Sequence, residues 1–387
     1  MKKLGCLLLA AAGICVLSSC SGQDDKADTR SVQDAQMNSI REAYSGYEEL
    51  QGKDLGVIKL PDTIEPQDTS TVYSFIARIH QRDASEKDQE YAQKLYADFF
   101  VDDYDASKSR FDELNYYFKY YEGDTELGRY ADGMISLVKK DYIISNEEEM
   151  HEVFKADDKG QIPLGKASCS ISEAAGCVKS FLDNELPDAF SDFTIEPQDL
   201  FPRKNGDSNV VLVNCVQKYQ GIPFEEYPSD YVIKGFDNEG NETLTSYYAT
   251  DIRFSLNDKN SIAVIHIDRP IEITKKEKLR EIIPLKKAAD ILCSELAEYL
   301  KYEFDEVKLM YCSKKTYTSY DYSKMTPEQQ LEKSDELNKI EDEYYPTWCF
   351  IANNSLSGYS RQIVKVNAVT GEITIAVPDG TAGMGAS

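Results

Sequence analysis

The sequence RQIVKVNAVTGEITIAV, residues 361–377, is the clearest indication of fold that the chain contains. Apolar and polar residues alternate on both sides of Thr370-Gly371, which is the period of half-buried β-strands. Glycine adopts a positive φ at no steric cost, so this dipeptide predicts the turn of a β-hairpin. A second hairpin is predicted at residues 249–270, where a polar Asn-Asp-Lys-Asn turn separates two apolar runs.

A helix is predicted ahead of each hairpin. Residues 170–186 and 284–300 carry apolar side chains at helical spacing, with Ser172 as the expected N-cap of the first helix. Further strands are predicted at residues 209–224, 306–312 and 346–353. Both parts of the chain therefore have the order helix, strand, strand, hairpin, which indicates a duplicated unit.

The part of the chain before these units predicts a mixed α and β module. Residues 85–100 have helical spacing, whereas residues 111–123 and 130–145 are rich in aromatic and β-branched residues and predict strands. Residues 146–154 begin with a capping residue and acids, which is typical of a helix N-terminus.

The N-terminus indicates a lipoprotein. Two lysines precede an apolar run that ends at residue 17, too short for the roughly 20 residues of a membrane-spanning helix. The following Leu17-Ser18-Ser19-Cys20 resembles the lipobox of bacterial lipoproteins, in which the cysteine thiol is lipidated and becomes the mature N-terminus. We therefore expect lipidation of Cys20 and an extracytoplasmic protein that its lipid anchors to the cell membrane. The alternative is an ordinary secreted protein with a chance cysteine.

Three short motifs resemble PepSY domains and related lipoproteins. VKVNAVTGEI (364–373) resembles the last PepSY hairpin, YQGIPF (219–224) resembles a turn found in many of these domains, and YYPTWCF (344–350) is similar to a strand of related lipoproteins. Paired units of this kind occur in the YycH and YycI regulators of a cell-wall sensor kinase, and uncharacterised Firmicutes lipoproteins are similar. The resemblance implies a non-enzymatic module that binds another protein.

The expected fold class is α+β, with a mixed N-terminal module followed by two small PepSY-like units, each a helix plus an antiparallel sheet. The expected organisation, in chain order, is a lipoprotein signal peptide at 1–19, a flexible tether at 20–38, the N-terminal module at 39–160, the first PepSY-like unit at 161–280, the second at 281–378 and a disordered tail at 379–387.

The charge of the chain limits its partners. Its 68 acidic and 43 basic residues give a formal net charge of −25, a field that repels nucleic acid, so no nucleic-acid partner is expected. An acidic segment at residues 326–345, in which Thr326 and Gln329 fit a capping box, predicts an exposed helix. That helix is either a solvated face or a docking surface.

Six cysteines follow Cys20, and the sequence allows them to be either disulfide-bonded or free thiols. An even number outside the cytoplasm allows three disulfides, whereas apolar surroundings favour buried thiols, and no CxxC spacing occurs. The six are Cys169, Cys177, Cys215, Cys293, Cys312 and Cys349.

A search for catalytic motifs finds none of the common ones. The three histidines, His80, His151 and His266, form no HExxH motif, and the sequence has no GxSxG or Walker A motif. We therefore predict no catalytic residue, no cofactor and no metal site. Two clusters have alternative explanations. A hard cation could bind to carboxylates so close in sequence, but solvation at a helix end explains them better: Asp102, Asp103 and Asp105. Tyrosines could form exposed platforms for a sugar, but the alternating faces of one strand explain them without a ligand: Tyr116, Tyr117, Tyr120 and Tyr121.

The function expected from the sequence is a membrane-anchored, non-enzymatic lipoprotein that binds or regulates another cell-envelope protein, such as a sensor ectodomain or a peptidase. Two alternatives stay open, a carbohydrate-active hydrolase and a solute-binding lipoprotein. An enzyme or a solute binder needs a deep cleft with convergent carboxylates or aromatic rings.

Overall fold

The structure is a computed structural model. It describes residues 43–67, 71–79, 88–113, 117–131, 134–142, 148–149, 152–185, 193–225, 232–236, 242–246, 251–268, 270–296, 301–313, 326, 329, 341–353 and 361–376. Several predicted features lie outside the described residues: the signal peptide, Cys20, the tether, His80, Tyr116, His151, most of the acidic segment and the tail at 379–387.

Strands are the main elements of the described chain. The first twelve are β1 (Ile58–Lys59), β2 (Tyr73–Ile79), β3 (Ser109–Asp112), β4 (Tyr117–Glu122), β5 (Thr125–Ala131), β6 (Met134–Val138), β7 (Glu148–Glu149), β8 (Phe154–Lys155), β9 (Gln161–Leu164), β10 (Ala167–Ser170), β11 (Thr194–Asn205) and β12 (Ser208–Tyr219). The others are β13 (Ile222–Pro223), β14 (Val232–Phe236), β15 (Glu242–Ser246), β16 (Asp251–Asp258), β17 (Ser261–Asp268), β18 (Ile271–Lys278), β19 (Tyr302–Glu303), β20 (Glu306–Ser313), β21 (Asp342–Asn353), β22 (Arg361–Asn367) and β23 (Ile373–Ala376).

Three α-helices accompany them in the described residues: α1 (Gln89–Phe100), α2 (Ile171–Glu185) and α3 (Leu285–Glu295). Each has an apolar face that packs on a sheet, which is where an isolated helix of this length obtains most of its stability. The structure confirms the three helices, the two hairpins and the strands predicted between them. The ends of these elements differ by a few residues from the prediction.

The largest sheet has eleven strands, in the order β3-β4-β5-β6-β17-β16-β12-β11-β7, with β13 beside β12 and β8 beside β11. One face of this sheet packs against α1 and α2. Tyr96 of α1 is fully buried there, and its hydroxyl donates to the carbonyl of Phe118 at 2.7 Å. Alternation along each strand places the remaining side chains on the other face, which carries polar residues such as His266 and apolar ones such as Val264.

The second sheet has six strands, in the order β18-β2-β21-β22-β23, with β20 beside β21. It packs against α3 and against residues 43–67. Trp348 lies at its centre, where its indole N–H donates to the carbonyl of Ile283 at 2.7 Å and its ring meets Tyr44 edge to face at 5.0 Å. The tryptophan is therefore a core residue.

A buried glutamine joins the two sheets. Gln217 of β12 donates through Nε2 to the carbonyl of Ile271 in β18, and its Oε1 accepts from the Ile271 amide, both at 2.9 Å. The amide side chain thus reproduces the pairing of a neighbouring strand and satisfies backbone groups that would otherwise be buried without partners.

The expected fold of two small helix-plus-sheet units is wrong. The helix, strand and hairpin elements occur in the expected order, but their strands enter two large antiparallel sheets. β6 pairs with β17, and β2 pairs with β18 and β21, so strands from the N-terminal part complete both sheets. A small sheet has open edges with unpaired backbone groups, and strands from the N-terminal part pair with such edges. The boundaries at residues 160 and 280 stay predictions.

Two local predictions are also wrong. The described residues between 146 and 154 form short strands, β7 and β8, that pair with β11, so tertiary pairing overrode a helical pattern. The N-terminus of α2 is capped by Ser170 and not by Ser172, because the Ser170 hydroxyl accepts from the Glu173 amide at 3.1 Å and Glu173 accepts from the Ser170 amide at 2.8 Å. The capping box therefore begins two residues earlier than expected.

Candidate functional site on the large sheet

A single line of polar residues crosses the large sheet, one from each of nine neighbouring strands. Residues directly opposite one another in paired strands project from the same face of the sheet. We call this line the polar row, and it consists of Arg110, Lys119, Arg129, Ser136, His266, Arg253, Asn214, Asp199 and Lys155.

The polar row lies on the face turned away from the helices. Residues next to it in sequence, such as Leu137, Phe254 and Ile265, are buried in the core that contains α1 and α2. Since successive side chains of a strand point to opposite faces, the row occupies the other side. Strand alternation in the sequence could have indicated a polar face, but not the register that aligns these residues.

Exposure varies along the polar row. Arg110 at one end is exposed, Asp199 is buried, and the other residues, including Lys155 at the opposite end, are half-buried. The ammonium of Lys155 contacts Asp199 Oδ1 at 2.7 Å. The neighbouring Asn214 Oδ1 is buried and has no hydrogen-bond partner within the part of the chain that the structure describes.

Cations and tyrosines alternate at the Arg110 end of the polar row. The Tyr117 ring has Lys119 Nζ and Arg129 Cζ each at 4.8 Å from its centroid, and Arg110 Cζ lies 4.0 Å from the centroid of Tyr121. Such cation–π contacts attract the cationic groups to the faces of the rings and help to hold them in place. We call these five residues the arginine–tyrosine patch.

Two acids fix the cations of the patch. Asp112 contacts Lys119 Nζ at 2.9 Å, and Glu126 contacts Arg129 Nη2 at 2.6 Å. The hydrogen bond to Asp112 raises the pKa of Lys119 by more than burial lowers it. Three cations against two acids leave the patch with one positive charge, on a chain whose formal net charge is −25.

The tyrosines named from the sequence separate into two groups. Tyr120 is 1 % exposed and lies in the core, where its hydroxyl donates to the carbonyl of Asp103 at 2.8 Å. Tyr117 lies under Lys119 and Arg129, and Tyr121 lies under Arg110. A cation therefore covers a face of each of the two rings on this side of the sheet.

The three aspartates of the FVDDYD sequence lie around two short 3-10 turns. Asp105 Oδ1 accepts from the Ser107 amide at 3.0 Å, so it caps the turn at Ala106–Lys108, and these hydrogen bonds lower its pKa. Asp102 and Asp103 belong to the preceding turn and are exposed. Capping and solvation therefore explain the cluster.

The described residues hold no group of three or more His, Cys, Asp and Glu side chains that could bind a metal ion. All six cysteines after Cys20 are free thiols in the structure. None of the described helices is both long and apolar enough to cross a membrane.

No protein-family model and no curated protein matches the sequence of the chain. A similar solved structure is that of an uncharacterized protein from Eubacterium rectale ATCC 33656, which is 13% identical. The alignment covers 88% of this chain and 98% of that chain, with a TM-score of 0.53. At this identity the similarity shows a shared fold and carries no information about function.

Proposed function

We propose that the protein is a membrane-anchored extracytoplasmic lipoprotein without enzymatic activity, which binds another cell-envelope protein through the arginine–tyrosine patch. The sequence supports the anchor, through Leu17 to Cys20, and the resemblance to regulators of a sensor kinase supports the class of partner. The observation that carries the binding proposal is the set of cations that lie on tyrosine rings at the Arg110 end of the polar row.

The composition and rigidity of the patch favour protein binding. Arginine and tyrosine are the residue types, with tryptophan, that most often dominate the binding free energy of protein interfaces. Ion pairs to Asp112 and Glu126 hold the patch before binding, so little side-chain entropy is lost on association. A standard interface uses about 20–30 residues a side, so the patch would form its centre.

The charge of the patch indicates the chemistry of the partner. Acidic groups next to aromatic or apolar ones would complement Arg110 and Arg129, whereas the acidic remainder of this chain would repel a uniformly acidic surface. We therefore expect a partner surface with a few carboxylates at its centre, and binding that weakens as salt is added.

The patch is tested by comparing membrane capture by two double variants of the lipidated protein. Arg110→Ala/Tyr121→Ala removes two of the five patch residues, and Arg280→Ala/Tyr302→Ala removes the same residue types elsewhere. Quantitative mass spectrometry after cross-linking should show a partner that the first variant captures at least tenfold less and the second captures like wild type. If every partner is captured equally by both variants, the patch is not the binding surface.

The anchor is tested separately by Cys20→Ser. Lipidation of this residue is the expected means of membrane attachment, so the variant should move to the soluble fraction. A variant that still sediments with membranes after a salt wash would contradict the anchor and leave the binding proposal standing.

A further inference from the structure

Two thiols and a thioether share a buried cluster on the second sheet, on the face opposite Trp348. Cys312 of β20 and Cys349 of β21 are 4 % and 1 % exposed, and their Sγ atoms lie 3.6 Å apart. Met310 belongs to the same small apolar cluster, together with Ile351. We call Met310, Cys312 and Cys349 the sulfur cluster.

A buried ion pair lies against the sulfur cluster. Lys365 stands opposite Cys349 in the sheet, and its ammonium contacts Glu225 Oε1, with side chains 8 % and 3 % exposed. The other carboxylate oxygen of Glu225 has no hydrogen-bond partner among the described residues. The Lys365 ammonium and the Glu225 carboxylate therefore lie on the face of the sheet that carries the sulfur cluster.

The geometry of the thiols does not favour a disulfide. Cys312 pairs with Tyr345 and Cys349 with Lys308, so the two cysteines are four positions apart in the strand register and are not direct neighbours. A disulfide needs its sulfur atoms about 2.05 Å apart, which would draw the thiols together by roughly 1.5 Å. Side chains fixed on paired strands in a packed core resist such a movement.

The same geometry suits a shared metal ion. Two thiolates bound at about 2.3 Å to one three-coordinate ion, with ligands about 120° apart, lie roughly 4.0 Å apart. The observed 3.6 Å is about 0.4 Å shorter, a smaller change than the roughly 1.5 Å approach that a disulfide needs. Sulfur ligands select soft cations such as copper(I), and a thioether is a further soft ligand.

We propose that Cys312 and Cys349 bind one soft monovalent cation of the copper(I) class as thiolates, with Met310 as a third ligand. The two thiol protons pass to solvent as the cation enters, and no electron is transferred. Two thiolates and one monovalent cation carry one negative charge, which the Lys365 ammonium stabilises. Zinc is disfavoured because structural zinc takes four ligands, and no third His, Cys, Asp or Glu of the described chain joins the pair.

Anaerobic titration of copper(I) against a chromogenic copper(I) chelator tests the site in the full chain. Because the sulfur atoms are buried, the protein is loaded both in its native state and during refolding. Wild type should hold one tightly bound copper(I), and Cys312→Ala/Cys349→Ala should lose it. The matched control Cys169→Ala/Cys293→Ala should keep it, and Met310→Leu should weaken binding on the order of tenfold. Equal copper binding by the two double-cysteine variants would overturn the proposal.

Two charge variants separate this site from unspecific binding to thiols. Lys365→Met removes the stabilising ammonium and should weaken copper(I) binding on the order of tenfold, whereas Glu225→Gln removes a competing carboxylate and should tighten it. Circular dichroism checks that both variants fold. Shifts in the same direction would contradict the assigned role of the ion pair.

Discussion

At the scale of single residues, Gly371 has the strongest conformational requirement in the C-terminal hairpin. Its φ is +81°, and an added Cβ would lie 3.3 Å from Ile291 Cδ1 and 3.4 Å from Ile283 Cδ1. A β-branched residue cannot take this conformation without strain, so Gly371→Val should lower the free energy of unfolding by about 1–3 kcal/mol. Urea denaturation followed by circular dichroism measures the change.

Gly176→Ala provides the contrast for this prediction. Gly176 is an exposed residue of α2, and a Cβ there would meet no atom within 4 Å. Alanine should therefore raise the free energy of unfolding by about 0.5–1 kcal/mol, because glycine is a poor helix former. A Gly371→Val protein as stable as wild type would be evidence against the turn conformation.

A second prediction at this scale concerns Gln217. Gln217→Leu removes both hydrogen bonds to Ile271 and leaves a buried amide and carbonyl without partners. Each such group costs about 1–3 kcal/mol, so we expect a loss of about 2–4 kcal/mol in the free energy of unfolding. Gln51→Leu, which removes one longer hydrogen bond to Ile64, is the control and should cost less than about 1 kcal/mol. Equal losses in the two variants would mean that the amide does not join the sheets.

At the scale of elements, β18 is an edge strand protected by charge. Its last residues include Lys275, Lys276 and Lys278, all exposed, and β2 is its partner in the order of the second sheet. Lysines on an edge strand discourage pairing with another molecule. Lys275→Val/Lys278→Val should therefore aggregate at concentrations where wild type is monodisperse by light scattering.

The control for the edge strand is Lys287→Val, which removes an exposed lysine from helix α3. It adds a similar apolar side chain without a strand edge, so it should stay monodisperse. Aggregation of the control to the same extent would show that surface hydrophobicity, and not edge pairing, is responsible.

Local sequence rules worked for elements whose pattern and packing agree. Thr326 and Gln329 form the predicted capping box, with the Thr326 amide donating to Gln329 Oε1 at 2.9 Å and the Gln329 amide donating to Thr326 Oγ1 at 3.4 Å. The prediction failed for residues 146–154, where described residues pair with β11 as strands. Short polar segments have a weak intrinsic preference, so an available strand edge decides their conformation.

At the scale of the whole molecule, buried tyrosines predict a loss of stability at alkaline pH. Burial raises the pKa of Tyr44, Tyr96, Tyr311 and Tyr344 well above the ordinary value near 10. Groups whose pKa is raised by folding contribute stability below the unfolded pKa and lose it as pH rises towards the folded pKa. At pH 11 each of these tyrosines should cost about 1.4 kcal/mol, because the unfolded chain ionises and the folded chain does not.

Thermal unfolding between pH 8 and pH 11 measures this effect. The melting temperature should fall mainly above pH 10, and Tyr344→Phe should reduce the slope because it removes one ionisable group. A melting temperature independent of pH over this range would contradict the burial of these hydroxyls.

The sequence alone determined the hairpin at residues 361–377, the three helices and most strands, because turn chemistry and hydrophobic period are local properties. It did not determine how the strands assemble. Pairing between β6 and β17, or between β2 and β21, joins residues more than a hundred positions apart, and no local signal specifies such partners. The polar row depends on the pairing of β6 with β17, and the sulfur cluster depends on the pairing of β21 with β20 and β22. The tertiary structure decided them because strand register places side chains from separate parts of the chain on one face.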